Sequence, residues 1–187
     1  MGKSSLNIKQ KHKLINADLS VNLLKRNKYR NVQCDLNMLP FKNNAFDITL
    51  CVGSVLNYCD AAKTIKNISK VTKKGGLLIL ECEVTNSFEH IFSRNYNKNI
   101  ALIETFHGDD KKHLIWNYSE NYLNKMLNQY SFVIKIVERF HILSALMLAF
   151  NLSPKISSKF CILDNILKKI PYVRKHPSNM ILLAEKV

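Results

Sequence analysis

The sequence predicts an α/β fold in one domain, on three observations. Short apolar runs of strand type alternate with segments whose apolar residues recur at helical spacing. The first three strand-like runs end in an acid or a glycine, at Asp18, Asp35 and Gly53. A chain of 187 residues with 47% hydrophobic content is long enough to bury a substantial core.

The elements follow in order. Residues 4–13 read as a short helix starting near Ser4 or Ser5, and 14–18 as a short strand. Ser20 caps a helix over 21–28, and 31–35 form a second strand closing on an acid. Residues 46–52 are a buried strand followed by Gly53-Ser54. Asp60 caps a helix carrying Ala61, Ile65, Ile68 and Val71 at helical spacing, and glycine stops it at Lys73-Lys74-Gly75-Gly76. The strand at 77–84 is the clearest, and 86–116 read as less regular. A helix follows Ser119, a strand covers 132–141, and an apolar helix, a Ser-rich loop and a helix over 161–170 precede the last strand at 180–184. The expected organisation is a single domain over 1–187, with an irregular insert at 85–118 and a helical insert at 141–178.

The formal charge is +14, from 28 basic and 14 acidic residues. Such an excess attracts nucleic acid, acidic headgroups or phosphorylated substrates. The cations are spread along a Lys-, Asn- and Ile-rich chain, so a compositional bias is the first reading. No recognised binding motif or aromatic-basic repeat marks a nucleic-acid partner. Cys34, Cys51, Cys59, Cys82 and Cys161 form neither a CxxC pair nor a metal-ligand spacing, so no metal is expected and a reducing cytoplasm fits. The most apolar stretch, 142–152, is too short to span a bilayer.

The chemistry is carried by an ordered set of parts. An acid closing a strand can accept hydrogen bonds from the two hydroxyls of a ribose. An acid at the next strand's end can meet an adenine amino group, and a glycine loop lets backbone approach a ligand. Four segments match this order: Ala17-Asp18-Leu19-Ser20, Cys34-Asp35-Leu36-Asn37-Met38-Leu39-Pro40-Phe41, Phe46 through Tyr58, and Ile68 through Glu81 with its Gly75-Gly76 turn. Together they resemble the class I S-adenosylmethionine-dependent methyltransferases, of the type 11 and type 25 kind. The family usually has Pro where this chain has Lys74.

The resemblance implies a Rossmann-like sheet with helices on both faces and S-adenosylmethionine as cofactor. It implies that Asp18, with Leu19 beside it, binds the ribose. Asp35 and the Leu36 backbone meet adenine, and Val52 and Gly53 line the methionine end. Asp47 is structural by the same reading. Gly2 lies 16 positions before Asp18, close to the spacing of the last glycine of the family's Gly-x-Gly-x-Gly-like loop. The first strand and most of that loop are then expected to be missing, and the strands beginning at Leu14 and Phe46 to flank an empty or closed-up position. A truncated gene, a misplaced start codon or a partner supplying the strand would each account for this. Six strands are otherwise expected in one sheet, the last two antiparallel. The chain as it stands is expected to bind the cofactor poorly or not at all.

Acceptor contacts in the family come from the region after the fifth strand and from the insert before the last. Here those regions offer Glu83, His90, His107, His113, Tyr118 and His141, with no catalytic residue singled out. The apolar run 141–150 is a core helix or a lid over a hydrophobic acceptor at a membrane surface. The implied function is methyl transfer to a small-molecule or lipid-linked acceptor. The alternative is a non-catalytic remnant or binding module, and the oligomeric state stays open.

Overall fold

The computed structural model describes residues 13–106, 112–150 and 152–187. Gly2, His107 and all but Lys13 of the expected first helix lie outside those residues. In chain order the elements are β1 (Ile15–Asp18), α1 (Val21–Leu24), β2 (Arg30–Gln33), β3 (Phe46–Cys51), α2 (Ala61–Val71), β4 (Thr72–Glu83) and the pair β5 (Ile100–Phe106) and β6 (Lys112–Tyr118). Then come α3 (Glu120–Gln129), β7 (Phe132–Phe140), α4 (Ile142–Ala149), α5 (Pro154–Ser157), α6 (Asp164–Leu167) and β8 (Asn179–Lys186). Short 3-10 turns at Leu36–Met38, Val55–Tyr58, Phe88–His90, Ser158–Leu163 and Val173–Lys175 join them.

The main sheet has four strands in the order β3-β4-β8-β7. β3 and β4 are parallel, and β8 runs antiparallel to both its neighbours. The last two strands are therefore antiparallel to each other, while β7 points the same way as β4. β1 and β2 form a separate parallel pair, Ile15 facing Arg30 and Asp18 facing Gln33. Six strands were expected in one sheet, with an empty or closed-up position between those beginning at Leu14 and Phe46; the six lie in two ladders, and no ladder joins β1 to β3 among the described residues. Among the described residues no strand lies between β1 and β3. The apolar Ile48 and Leu50 of β3 are left largely exposed.

The core follows from strand alternation. Leu78, Leu80 and Cys82 of β4 point to one face, with Met180, Leu182 and Ala184 of β8. α2 covers that face with Ile65 and Ile68, and α3 with Leu123 and Leu127. Each such side chain contributes about 1.5–3 kcal/mol on burial. The Asp60 carboxylate accepts from Lys63 N at 3.1 Å, and the Ser119 hydroxyl from Tyr122 N at 3.1 Å, which starts α2 and α3 where the sequence places them. At the carboxyl end of α2 the Lys186 ammonium donates to the carbonyls of Thr72, at 2.7 Å, and Ser69. It ties the last strand to a helix end whose free carbonyls favour a cation.

Two other expectations change. The stretch 86–116 holds a regular hairpin, β5 against β6, with Ile103 facing Ile115. Its strands carry apolar residues on both faces, Ala101 and Ile115 buried and Leu102, Leu114 and Trp116 exposed, so no alternation is visible. The helices expected over 21–28 and 161–170 shorten to α1 and to a 3-10 turn plus α6.

The turn between α2 and the body of β4 depends on both glycines. Gly75 has φ +74°, which favours glycine. A Cβ on Gly76 would stand 2.8 Å from the Lys73 carbonyl oxygen and 3.0 Å from that of Asp47. Both obstacles are backbone and cannot swing aside. Gly76→Ala is expected to cost about 1–3 kcal/mol and to lower the melting temperature by several degrees. A melting curve superimposed on wild type would show that the β3–β4 junction is looser than the structure describes.

Candidate active site

Ligands of open α/β sheets sit beyond the carboxyl ends of the parallel strands. Four segments end there. The Asp18 carboxylate closes β1 and accepts from Ser20 N through Oδ1 at 2.7 Å. Asp35, just past β2, accepts from Asn37 N through Oδ1 at 2.7 Å and from the Asn37 side chain at 2.9 Å. No described residue bonds Oδ2 of either acid. The two carboxylates flank Cys34, whose thiol is pushed up first by burial and then by the charges of Asp35 and Asp18. Leu19 beside Asp18 is exposed, whereas Leu36 packs against the core. Asn67 of α2 donates to the carbonyls of Leu36, at 3.3 Å, and Asn37, at 2.8 Å, and so fixes the Asp35 turn on the main sheet's helix.

On the other side β3 ends at Cys51, and Val52 and Gly53 follow with both residues exposed. Gly53 has φ +79° and nothing within 4 Å of where a Cβ would be, so the space above it is open. Its N–H donates to the Glu81 carboxylate on β4 at 2.9 Å. Asp47 lies at the opposite end of β3, ion-paired with Lys73 at 2.8 Å. It fixes the entry to the strand and takes no part in the site.

The site's framework is Asn57, which is fully buried. Its Nδ2 donates to the Glu83 carbonyl at 3.0 Å, the Trp116 carbonyl at 2.8 Å and the Asn117 side-chain oxygen at 3.0 Å. Its Oδ1 accepts from Glu83 N at 2.9 Å. One amide thus locks the turn after β3 to the end of β4 and to β6. Around it stand Glu83, Asn117, Glu89 and His90, from three different segments. Burial, and then the charge of Glu89, push the Glu83 carboxyl up to about 7, against a hydrogen bond from Asn117 that pulls it down. Burial lowers the pKa of His90, whose Nε2 is 3.5 Å from the Asn117 amide. A carboxyl that titrates near neutrality can exchange a proton with a bound molecule.

The other residues expected to contact an acceptor lie elsewhere. The Tyr118 hydroxyl donates to the Cys59 carbonyl at 2.5 Å and accepts from Ala61 N at 3.2 Å, and burial pushes its pKa up to about 12. It is a structural clamp on the start of α2. His113 faces Thr105 in the hairpin. His141 takes a left-handed conformation, φ 58°, at the start of α4. Asn57 and Asn117 were not anticipated. An asparagine in a mixed polar stretch gives no signal of being the centre of a buried network.

With this geometry in place, similarity to known proteins is informative. Residues 2–80 match the family model described as a methyltransferase domain. An uncharacterized protein of Methanocaldococcus jannaschii is 37% identical over 76 residues, and a demethylmenaquinone methyltransferase of Corynebacterium kroppenstedtii 32% over 88. The matches cover 40% and 46% of this chain, and only 33% and 38% of those proteins. Among solved structures, a SAM-dependent methyltransferase from Methanosarcina mazei superposes with a TM-score of 0.58 at 13% identity, over 92% of this chain and 81% of that one. An S-adenosylmethionine-dependent methyltransferase from Clostridium acetobutylicum gives 0.57 at 18%, over 92% and 74%. The 1,6-didemethyltoxoflavin-N1-methyltransferase of Burkholderia thailandensis, solved with its substrate and S-adenosylhomocysteine, gives 0.54 at 14%, over 94% and 62%. The fold they share runs through nearly the whole chain.

Two expectations follow from the network. Asn57→Ala leaves four buried backbone and side-chain partners without a bond and should cost about 3 kcal/mol or more, read by denaturant unfolding. A loss under 1 kcal/mol would mean that water replaces the amide. Glu83 has a folded pKa near 7, above its ordinary 4.5, so its contribution to stability falls as pH rises from 4.5 to 7 and stays lost above. Glu83→Gln, which keeps an acceptor for Asn117, should therefore raise stability by about 1–3 kcal/mol at pH 8 and leave it unchanged at pH 4. The same gain at both pH values would refute the displaced titration.

Proposed function

We propose that this chain is a member of the class I S-adenosylmethionine-dependent methyltransferase family and transfers the methyl group of S-adenosylmethionine to a small molecule held beyond β3 and β4. The observation that carries this reading is the placing of Asp18, Asp35 and Gly53 after β1, β2 and β3, each a member of a parallel pair, with an unshared acceptor oxygen or open space at each end. The residues present fit the cofactor. The free oxygen of Asp18, with its partly engaged partner oxygen, suits a ribose diol. Asp35 and the Leu36 N–H suit the edge of adenine. Gly53, with Val52 before it, lets a methionine chain approach the backbone without a Cβ in the way. The cofactor, when bound, supplies a methyl group on a positively charged sulfur.

The chain's own residues then have three tasks. Asp18 and Asp35 hold the nucleoside in register. Asn57 fixes the Gly53 turn and the end of β4 against each other, the two segments that would hold the cofactor's methionine end and the acceptor. Glu83 takes the proton that the acceptor's nucleophilic atom releases as it bonds to the methyl carbon, and Asn117 keeps that carboxyl oriented. The finer reading of the acceptor is a lipid-linked molecule, with the protein working in the cytoplasm against a membrane. Support comes from the apolar insert between β7 and β8, and from the relative named as a demethylmenaquinone methyltransferase.

A second reading, a non-catalytic methyltransferase-like binding module, is favoured by one observation, the absence of any ladder between β1 and β3 among the described residues. Calorimetry with S-adenosylmethionine separates the two. The enzyme reading expects micromolar binding that weakens ten- to a hundredfold in Asp18→Ala, because charge-assisted bonds to the ribose are each worth about 1.5–3 kcal/mol. No binding by wild type would leave the second reading standing. Binding that Asp18→Ala does not change would remove Asp18 from the site.

A further inference from the structure

The insert between β7 and β8 is built in a way its own folding does not require. Its small core consists of Ile142 and Ala145 of α4 against Phe88, with Ile91, Leu146 and Val173 at the margin. Its one acid in 142–175, Asp164, is buried and accepts from the backbone N–H of Ile142 at 3.0 Å and Leu143 at 2.9 Å, stapling α6 to the start of α4. Several other apolar side chains of the insert face outward. Ile162 is 81% exposed, Ile166 63% and Tyr172 65%, and Phe150, also exposed, packs its ring 5.9 Å from exposed Phe92. The same stretch carries six cations, Lys155, Lys159, Lys168, Lys169, Arg174 and Lys175. Most are exposed, and none is ion-paired with a described residue.

Outward-facing isoleucines among cations, with the only acid consumed internally, match the surface of an anionic bilayer. Apolar side chains enter the boundary between headgroups and acyl chains, while long basic side chains reach the phosphates above it. No helix among the described residues is long and apolar enough to cross a membrane, so such a surface lies on the bilayer. A nucleic acid would match the cations and leave the exposed isoleucines and Tyr172 without a role. A second copy would bring like charge against like charge.

We propose that residues 142–175 form a docking surface for an anionic lipid bilayer, through exposed Ile162, Ile166 and Tyr172 and the surrounding lysines and arginines. The proposal deepens the lipid-linked reading of the acceptor, since it would bring the site to a bilayer in which such a molecule is dissolved. The binding itself does not depend on methyl transfer.

The test is co-sedimentation of the full chain with vesicles of phosphatidylcholine alone and with 30% phosphatidylglycerol, without cofactor or acceptor. At least tenfold stronger partitioning onto the anionic vesicles is expected, weakening in 0.5 M salt. Lys168→Glu/Lys169→Glu should lose most of that preference, and Ile162→Glu/Ile166→Glu should lose binding to both vesicle types. All four positions lie at the surface, and circular dichroism melts unchanged from wild type confirm the fold of each variant. Equal partitioning onto both vesicles, no partitioning, or binding indifferent to the isoleucine pair would overturn the proposal. So would self-association in sedimentation velocity that the isoleucine variant abolishes, which would assign the face to a second copy. Because no cofactor is present, these outcomes are separate from failure of the calorimetric test.

Discussion

The site depends on one buried amide. Asn57 lies in the turn after β3, and its four hydrogen bonds reach the end of β4 and the neighbouring strand β6. A buried amide with unmade bonds is costly, so these three segments are held in one arrangement or the network fails as a unit. Gly53, Glu83 and Asn117 are held relative to one another by it. Gly53 is four residues upstream, Glu83 supplies both a bonded N–H and a bonded carbonyl, and Asn117 is the partner through which the Glu83 carboxyl is held. Tyr118, next to Asn117, adds a second clamp by binding the Cys59 carbonyl and the Ala61 N–H at the start of α2.

The same framework creates the electrostatics. Glu81 and Glu83 share a face of β4, and Glu89 comes from the turn beyond it. Glu81 is answered by the Gly53 N–H. Glu83 is withdrawn from water close to Glu89 with one amide to help it, so it holds its proton to near neutrality. In a chain of net charge +14, this acidic pocket is a local reversal of sign. The insert between β7 and β8 carries the opposite sign, with six cations against one acid over 142–175. Opposite charges therefore lie in different places: carboxylates at the strand ends, and cations in the same stretch as exposed apolar side chains on the insert.

The two ladders are joined through side chains. Asn67 of α2 holds the turn that carries Asp35, and Leu36 and Leu39 of that segment pack against the main core. The Asp35 turn is thus referenced to the same helix that covers β4. Helix–turn contacts place Asp35 relative to the main sheet although no backbone ladder connects them.

The sequence by itself determined the alternation of strands and helices, the caps Asp60 and Ser119, the glycine turn after α2, and the order of Asp18, Asp35 and Gly53. These are local properties, read from spacing, cap chemistry and backbone freedom over a few residues. It also marked Glu83 and His90 as lying in the acceptor region, without separating them from Tyr118 or the other histidines. Tertiary structure decided that separation. The Tyr118 hydroxyl is consumed by two bonds to residues nearly sixty positions away, and Glu83 gains its displaced titration from burial and then from Glu89, against the hydrogen bond from Asn117, only once β4, the 88–90 turn and β6 converge. Asn57 and the hairpin went unrecognised for the same reason. A buried amide and a strand pair with apolar residues on both faces acquire their meaning from partners distant in sequence, and those partners leave no periodic trace along the chain.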